Sequence, residues 1–400
     1  MRTLGIYVFA LFFVPSAFAQ DLAQLRKTIE ANIPTTLPTD LGRKVPPQEL
    51  IDACKAVVET ANQIYALPNL DEQNRRWTLA REAVARIILV YVDTSAHYAR
   101  LTVLSDELEG IGLRNLAKIT EEHVLRIGIE LATQTGSSSQ FNYQALAERM
   151  VFFAEQNPGQ ESLQMIDLFL HQVRQMRAAF RDRRLAAIAP ILQDYFRKIH
   201  HTQRALALDP DIQRATLPGN PMLLMGVDLD GNDFTPVSVQ DKVVLFQFWG
   251  TWCPPCKADI PELITLYEKY RTAGFEIVGV NTGVSGDDER RVRQFVETTL
   301  FDGKKIPWKI LHEGLGERQN RMTMTKFYGI DELPVLILVG RDGKVRSLHP
   351  LMSALDELIA TATSPLASIE FSEEERQQIE ENQRRELEEI DRQIREELSR

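Results

Sequence analysis

The 400-residue sequence predicts a multidomain chain of two fold classes. An all-α N-terminal domain precedes an α/β domain with a central mixed sheet and helices on both faces, and a charged helix trails at the C-terminus. Three observations carry this reading. Up to about Ala207 apolar residues recur at helical spacing. From about Met222 to Thr363 short apolar runs alternate with helical stretches and close on a hairpin and a helix. Between them, Asp209-Pro210, Leu217-Pro218-Gly219 and Asn220-Pro221 form a cluster of chain breakers. The expected boundaries are a signal peptide over 1–19, a helical domain over 20–207, a linker over 208–221, the α/β domain over 222–365 and a helical tail over 366–400.

The first segment has the form of an export signal. Arg2 supplies a positive start, Leu4 to Val14 form an apolar run too short for a comfortable membrane span, and Ala17-Phe18-Ala19 offers a small-x-small cleavage pattern before Gln20. An uncleaved N-terminal anchor is the competing reading. Either one puts the body of the chain outside the cytoplasm.

In the helical domain, Leu79, Ala83, Ile87, Leu89 and Val90 mark one helix, Val124, Leu125, Ile127 and Leu131 another, and 143–153 and 163–180 two more. Gly110-Ile111-Gly112, Gly136 to Ser139 and Asn157-Pro158-Gly159 break them. No repeat period stands out, so an irregular bundle or short array is expected.

After the linker, 223–229 and 234–239 read as short strands around the Asp230-Gly231 turn. Buried strands follow at 243–248 and 275–281, and a short extended piece at 308–311. Helices are expected over 255–270, 287–300 and 353–362. Strands 335–339 and 345–349 flank the turn Arg341-Asp342-Gly343-Lys344. In the tail, Ser372 and Glu375 form a capping box, and Ile379, Leu387, Ile390, Ile394 and Leu398 give a thin apolar line among charges. That line suits a solvated helix held by i,i+4 ion pairs of about 0.2–0.5 kcal/mol each, or a sparse coiled coil or docking helix.

A formal net charge of −10 repels phosphate backbones and argues against a nucleic-acid partner. The seven histidines show no metal-ligand spacing, and His200-His201 reads as a helix-end pair facing water. Neither a metal nor another cofactor is expected.

Only three cysteines are present, Cys54, Cys253 and Cys256. Cys54 lies in a helical stretch and reads as a small buried apolar residue, with a regulatory thiol or a partner for Cys253 as the alternative. Cys253-Pro254-Pro255-Cys256 follows a buried strand and opens a helix. Attack on a disulfide needs a thiolate, and a helix N-terminus lowers the thiol pKa to roughly 3.5–7.5. The i,i+3 spacing sets the second sulfur one turn on, able to resolve a mixed disulfide. Structural zinc would need about four ligands, and no second pair of cysteines or histidines supplies them. A purely structural bridge across so short a loop would contribute on the order of 2 kcal/mol. A peroxidase-type cysteine would want a hydroxyl three positions earlier, where Gly250 stands.

The run Phe248-Trp249-Gly250-Thr251-Trp252-Cys253-Pro254-Pro255-Cys256-Lys257 resembles the active site of the TlpA/ResA-like branch of the thioredoxin family, and the resemblance extends over about 222–363. It implies a thioredoxin fold, an extracytoplasmic site of action and a redox-active Cys253–Cys256 disulfide; with a cleaved signal peptide, the bacterial periplasm is the expected location. It also implies reduction of protein disulfides, often those of apocytochrome c, by electrons from a membrane-bound dithiol donor. By the same resemblance Pro334 matches a cis-proline that turns the Leu333 backbone toward Cys253, so that Trp252, Leu333 and Pro334 would bind substrate. Gln247 stands where many thioredoxins keep a buried acid. Asp259, three after Cys256, matches a family glutamate and would assist proton transfer at Cys256. Its alternative role is a first-turn acid complementing the helix dipole. Pro261 matches a helix kink. The functional expectation is thus a thiol–disulfide oxidoreductase. One alternative is an interaction protein whose helical domain binds an unidentified partner in the envelope, with the redox domain accessory; another is an oxidant or isomerase role for the cysteine pair.

Overall fold

The computed structural model describes residues 15–34, 37, 45–134, 141–284, 286–318 and 322–364. The apolar run of the expected signal peptide and the expected C-terminal helix lie outside these residues. The chain forms two compact units, dividing between Gln175 and Met176.

The first unit is helical: α1 (Pro15–Asn32), α2 (Gln48–Tyr65), α3 (Glu72–Leu89), α4 (Thr94–Gly110), α5 (Arg114–Gln134), α6 (Tyr143–Gln156) and α7 (Gln160–Arg174). Helix α1 runs across the expected processing point at Ala19-Gln20. Consecutive helices pack on one another because each carries one apolar stripe. On α2 that stripe is Ile51, Cys54, Val57, Ala61 and Ile64, packed with Ile29, Ile88 and Leu89. Cys54 is fully buried in this stripe, and burial pushes its thiol pKa up to about 11. The burial agrees with the small apolar role that its helical spacing suggested.

The second unit contains α8 (Ala178–Lys198), α9 (Thr202–Leu206), α10 (Asp209–Ala215), β1 (Gly226–Val227), β2 (Asp233–Phe234), β3 (Val243–Trp249), α11 (Pro254–Tyr270), β4 (Phe275–Asn281), α12 (Glu289–Thr298), β5 (Lys309–His312), α13 (Glu313–Arg318), α14 (Met324–Phe327), β6 (Val335–Val339), β7 (Val345–Leu348) and α15 (Met352–Thr363). The main sheet has the order β5-β4-β3-β6-β7. Strands β3, β4 and β5 are parallel, β6 runs antiparallel to β3, and β7 antiparallel to β6. This is the thioredoxin arrangement.

The period of two along β3 divides the core. Val244, Phe246 and Phe248 face a cluster with Phe234, Val280, Met324, Phe327 and Tyr328. Val243, Leu245 and Trp249 face the other cluster, with Ile260, Leu263 and Ile264 of α11, Val292 of α12 and Leu355 and Ile359 of α15. Gln247 belongs by parity to this second face, beneath α11.

Three local expectations change. Helices α8 to α10 go with the sheet, not with the preceding helices, and the segment expected as a linker holds α10 and bridges from Pro218 and Pro221 to Val345 and Lys344. Periodicity reports that a helix has a buried side but not which neighbour covers it. The run expected as one helix over 163–180 is interrupted between Arg174 and Ala178, separating α7 from α8. The strand expected over 234–239 ends at Phe234, because Pro236 lacks an N–H and Thr235 and Ser238 cap a short 3-10 turn instead. The turn itself is as expected: Gly231 has φ 86°, and the Asp228 carboxylate accepts the Asp230 and Asn232 amides at 3.0 and 2.9 Å.

Candidate active site at the start of α11

Strand β3 is buried along its whole length and ends at Trp249. The chain turns through 250–252 and enters α11 with Cys253 as its N-cap. Cys253 Sγ accepts the Cys256 amide at 3.2 Å, taking one of the N–H groups that a helix start leaves unpartnered. Pro254 and Pro255 occupy the first helical positions, where a missing N–H costs nothing and a fixed φ suits the helix. Cys253 and Cys256 are joined as a disulfide with a Cα–Cα distance of 5.3 Å. Cys256 is fully buried, and Cys253 is 2% exposed, flanked by the exposed Trp252, Pro254 and Pro255.

Strand register brings a distant segment to the same place. Phe248 pairs with Val335, so Leu333 and Pro334 enter β6 beside the end of β3. The Leu333–Pro334 bond is cis. The half-buried Leu333 packs against the apolar cluster that contains both cysteines. The register thus puts Leu333 and Pro334 at the same end of the sheet as the turn that carries Trp252, Cys253 and Cys256.

Two other residues singled out in the sequence lie on the inner side. Gln247 is buried, and its Nε2 approaches the Cys256 carbonyl at 3.5 Å. Asp259 stands one turn beyond Cys256 and is half-buried. Burial, then the nearby Glu262, raises its carboxyl pKa.

No local pattern in the sequence marks what holds the turn into Cys253. Asp287, 2% exposed, accepts the Thr251 amide at 2.7 Å and also the Thr251 hydroxyl. The same carboxyl group accepts Asn281 Nδ2 at 2.9 Å, and its own carbonyl is 2.9 Å from His312 Nε2. Trp252 Nε1 donates to the Val284 carbonyl at 3.1 Å. The turn is thus tied to the segment after β4. Beyond His312, the buried Glu313 accepts the Thr325 amide at 3.0 Å and so holds the start of α14. Burial pushes the Glu313 pKa up to about 7, despite the hydrogen bonds from Thr325 and Thr323. Thr251 and Asp287 lie 36 positions apart, beyond any local spacing rule.

No group of three or more metal-ligating side chains occurs among the described residues. No helix among them is long and apolar enough to cross a membrane.

Residues 208–354 match the Redoxin family model. The C-terminal half carries a Redoxin domain. Its curated relatives include the thiol-disulfide oxidoreductase ResA of Halalkalibacterium halodurans, 32% identical over 122 residues, which are 30% of this chain and 61% of the relative. ResA of Geobacillus thermodenitrificans is 32% identical over 121 residues, 30% of this chain and 62% of the relative. The chain thus spans about three-fifths of the length of these relatives. Among solved structures, the thioredoxin domain of a thiol-disulfide oxidoreductase from Bacteroides vulgatus is 24% identical, covering 37% of this chain and 98% of that one, with a TM-score of 0.31. StoA from Bacillus subtilis is 22% identical, covering 35% and 98%, with a TM-score of 0.28. The α8 and α9 helices precede the residues of the Redoxin match.

Proposed function

We propose that the Redoxin domain exchanges dithiol and disulfide with protein substrates outside the cytoplasm, and that it works as a reductant. The observation that carries this is the position of Cys253 as the N-cap of α11, bonded to the buried Cys256 one turn on. A helix N-terminus stabilises a thiolate through its partial positive charge and free N–H groups. In the disulfide state the Cys256 amide already points at the Cys253 sulfur.

The exchange balances as follows. The Cys253 thiolate attacks one sulfur of a substrate disulfide, a mixed disulfide forms and the other substrate sulfur leaves as a thiolate. Cys256 loses its proton and attacks Cys253 Sγ. The second substrate sulfur leaves, the Cys253–Cys256 disulfide closes, and two electrons have passed to the substrate. A dithiol donor, in the membrane by this reading, reopens the pair. Trp252, Leu333 and the cis Pro334 form the surface against which a substrate strand lies. Asp259, with its raised pKa, takes the Cys256 proton. The proposed periplasmic location rests on the export-type N-terminus and the ResA resemblance, and apocytochrome c disulfides are one candidate substrate class.

Insulin reduction by the full-length chain, with dithiothreitol as donor, tests the reading. The wild type should accelerate B-chain precipitation, and Cys253→Ser should abolish the acceleration. Equal rates for the two would sink it.

A further inference from the structure

Helices α8 and α10 put a buried ion cluster against the segment that precedes the cis-proline. Arg214, 2% exposed, donates from Nη1 to the carbonyls of Tyr328 and Gly329, each at 2.5 Å. Its Nε reaches Asp182 at 2.9 Å and its Nη2 reaches Asp211 at 3.1 Å. Arg181, also 2% exposed, bonds Asp182 at 3.1 Å and lies 3.5 Å from both Asp331 and Glu332, the two residues before Leu333. The second Asp182 oxygen takes His349 Nε2 at 2.7 Å, at the end of β7. Burial alone would raise the Asp182 pKa, but the His349 hydrogen bond and the charges of Arg214 and Arg181 hold it at about 2. Gly329 leaves no slack: its φ is 56°, and a Cβ there would lie 2.8 Å from Pro210 Cβ and 2.9 Å from Arg214 Nη1.

We propose that Arg181 and Arg214 are positioning residues that clamp the 328–332 segment, and through it Leu333 and Pro334, in the conformation that receives a protein substrate. The clamp rests on the redox function proposed above. Two buried guanidinium groups engage six acceptors on this segment and on Asp182 and Asp211, more than a loop serving only as a connection would require. Arg181 and Asp182 belong to α8, before the Redoxin match begins. The extra helices therefore add a support to the rim that the matched domain alone does not contain. The contacts reach the rim and not the cysteines, so their loss should weaken protein-substrate binding while leaving the sulfur chemistry intact.

Full-length wild type, Arg181→Gln and Arg214→Lys would be compared on three readouts. These are KM and kcat for insulin, the rate of the reduced protein with the small disulfide 5,5′-dithiobis(2-nitrobenzoate), and the redox equilibrium constant against glutathione. Lysine keeps the charge but cannot hold two carbonyls and two carboxylates together. The expected result is a five- to tenfold higher insulin KM in both variants, with kcat, the small-disulfide rate and the equilibrium constant within twofold of wild type. An unchanged KM in folded variants overturns the clamp. An equal loss toward both disulfides overturns it too, since that reports a general loosening. Failure of both variants to fold overturns it by making the cluster a core element. A wild type inactive toward both disulfides would instead contradict the redox reading itself.

Discussion

The Asp287 carboxyl group accepts the Thr251 amide at 2.7 Å, which fastens the turn into Cys253 to the chain just beyond β4. With Asn281 Nδ2 on the same carboxyl group and His312 on the Asp287 carbonyl, the turn has a fixed floor. Buried polar networks of this kind contribute mainly by being complete, because each orphaned donor then costs about 1–3 kcal/mol.

Asp287→Ala would orphan the Thr251 amide and the Asn281 amide nitrogen together. The expected loss of stability is about 3 kcal/mol, read as a lower midpoint in urea unfolding followed by circular dichroism. Insulin reduction should slow several-fold at temperatures where the variant remains folded. A variant with wild-type midpoint and rate would show that the turn holds itself.

Glu313 makes a pH prediction whose sign is fixed by its raised pKa. The native state keeps a proton that the unfolded chain, at the ordinary value of 4.5, has already given up. Its contribution to stability is therefore full below pH 4.5 and is lost as pH rises through about 7. The size is on the order of 3 kcal/mol. Glu313→Gln keeps an acceptor for the Thr325 amide and cannot ionise. The variant should gain stability relative to wild type between pH 5 and pH 8, measured by urea unfolding at both. A constant difference between the two proteins would place the Glu313 pKa in the ordinary range.

The proposed function has Asp259, which matches a family glutamate and whose carboxyl pKa burial raises, take the Cys256 proton. In the reduced protein, Asp259→Asn should change the Cys256 pKa, followed by alkylation rate against pH in a Cys253→Ser background. An unchanged profile would leave Asp259 as an acid of the helix start and nothing more.

The candidate redox pair was legible because its signal is local. A strand, a turn, Cys253 and a helix follow one another along the chain, and a helix N-terminus activates what sits at its cap. The β3, β4 and β6 strands were legible for a related reason, since buried strands read as unbroken apolar runs. The cis bond at Pro334 is observed where the family resemblance placed it. The supports were hidden for the opposite reason. Asp287 finds Thr251, and Arg214 finds Tyr328, only after the sheet has assembled, across 36 and 114 positions. A polar residue bound for such a network carries the same letter as one bound for water. The grouping of residues 178–206 with the sheet was hidden on the same ground, because which neighbour covers a helix is a tertiary fact.

The proposed function depends most directly on the Cys253–Cys256 bridge being a reversible two-electron couple within the folded protein. Equilibrating the full-length chain in glutathione buffers of graded ratio, then alkylating and counting modified thiols by mass spectrometry under native conditions, measures this. The expected result is a single transition in which Cys253 and Cys256 are modified together, with Cys54 protected throughout and the circular dichroism unchanged. A bridge that resists reduction until the domain unfolds would be a structural crosslink and would overturn the redox function.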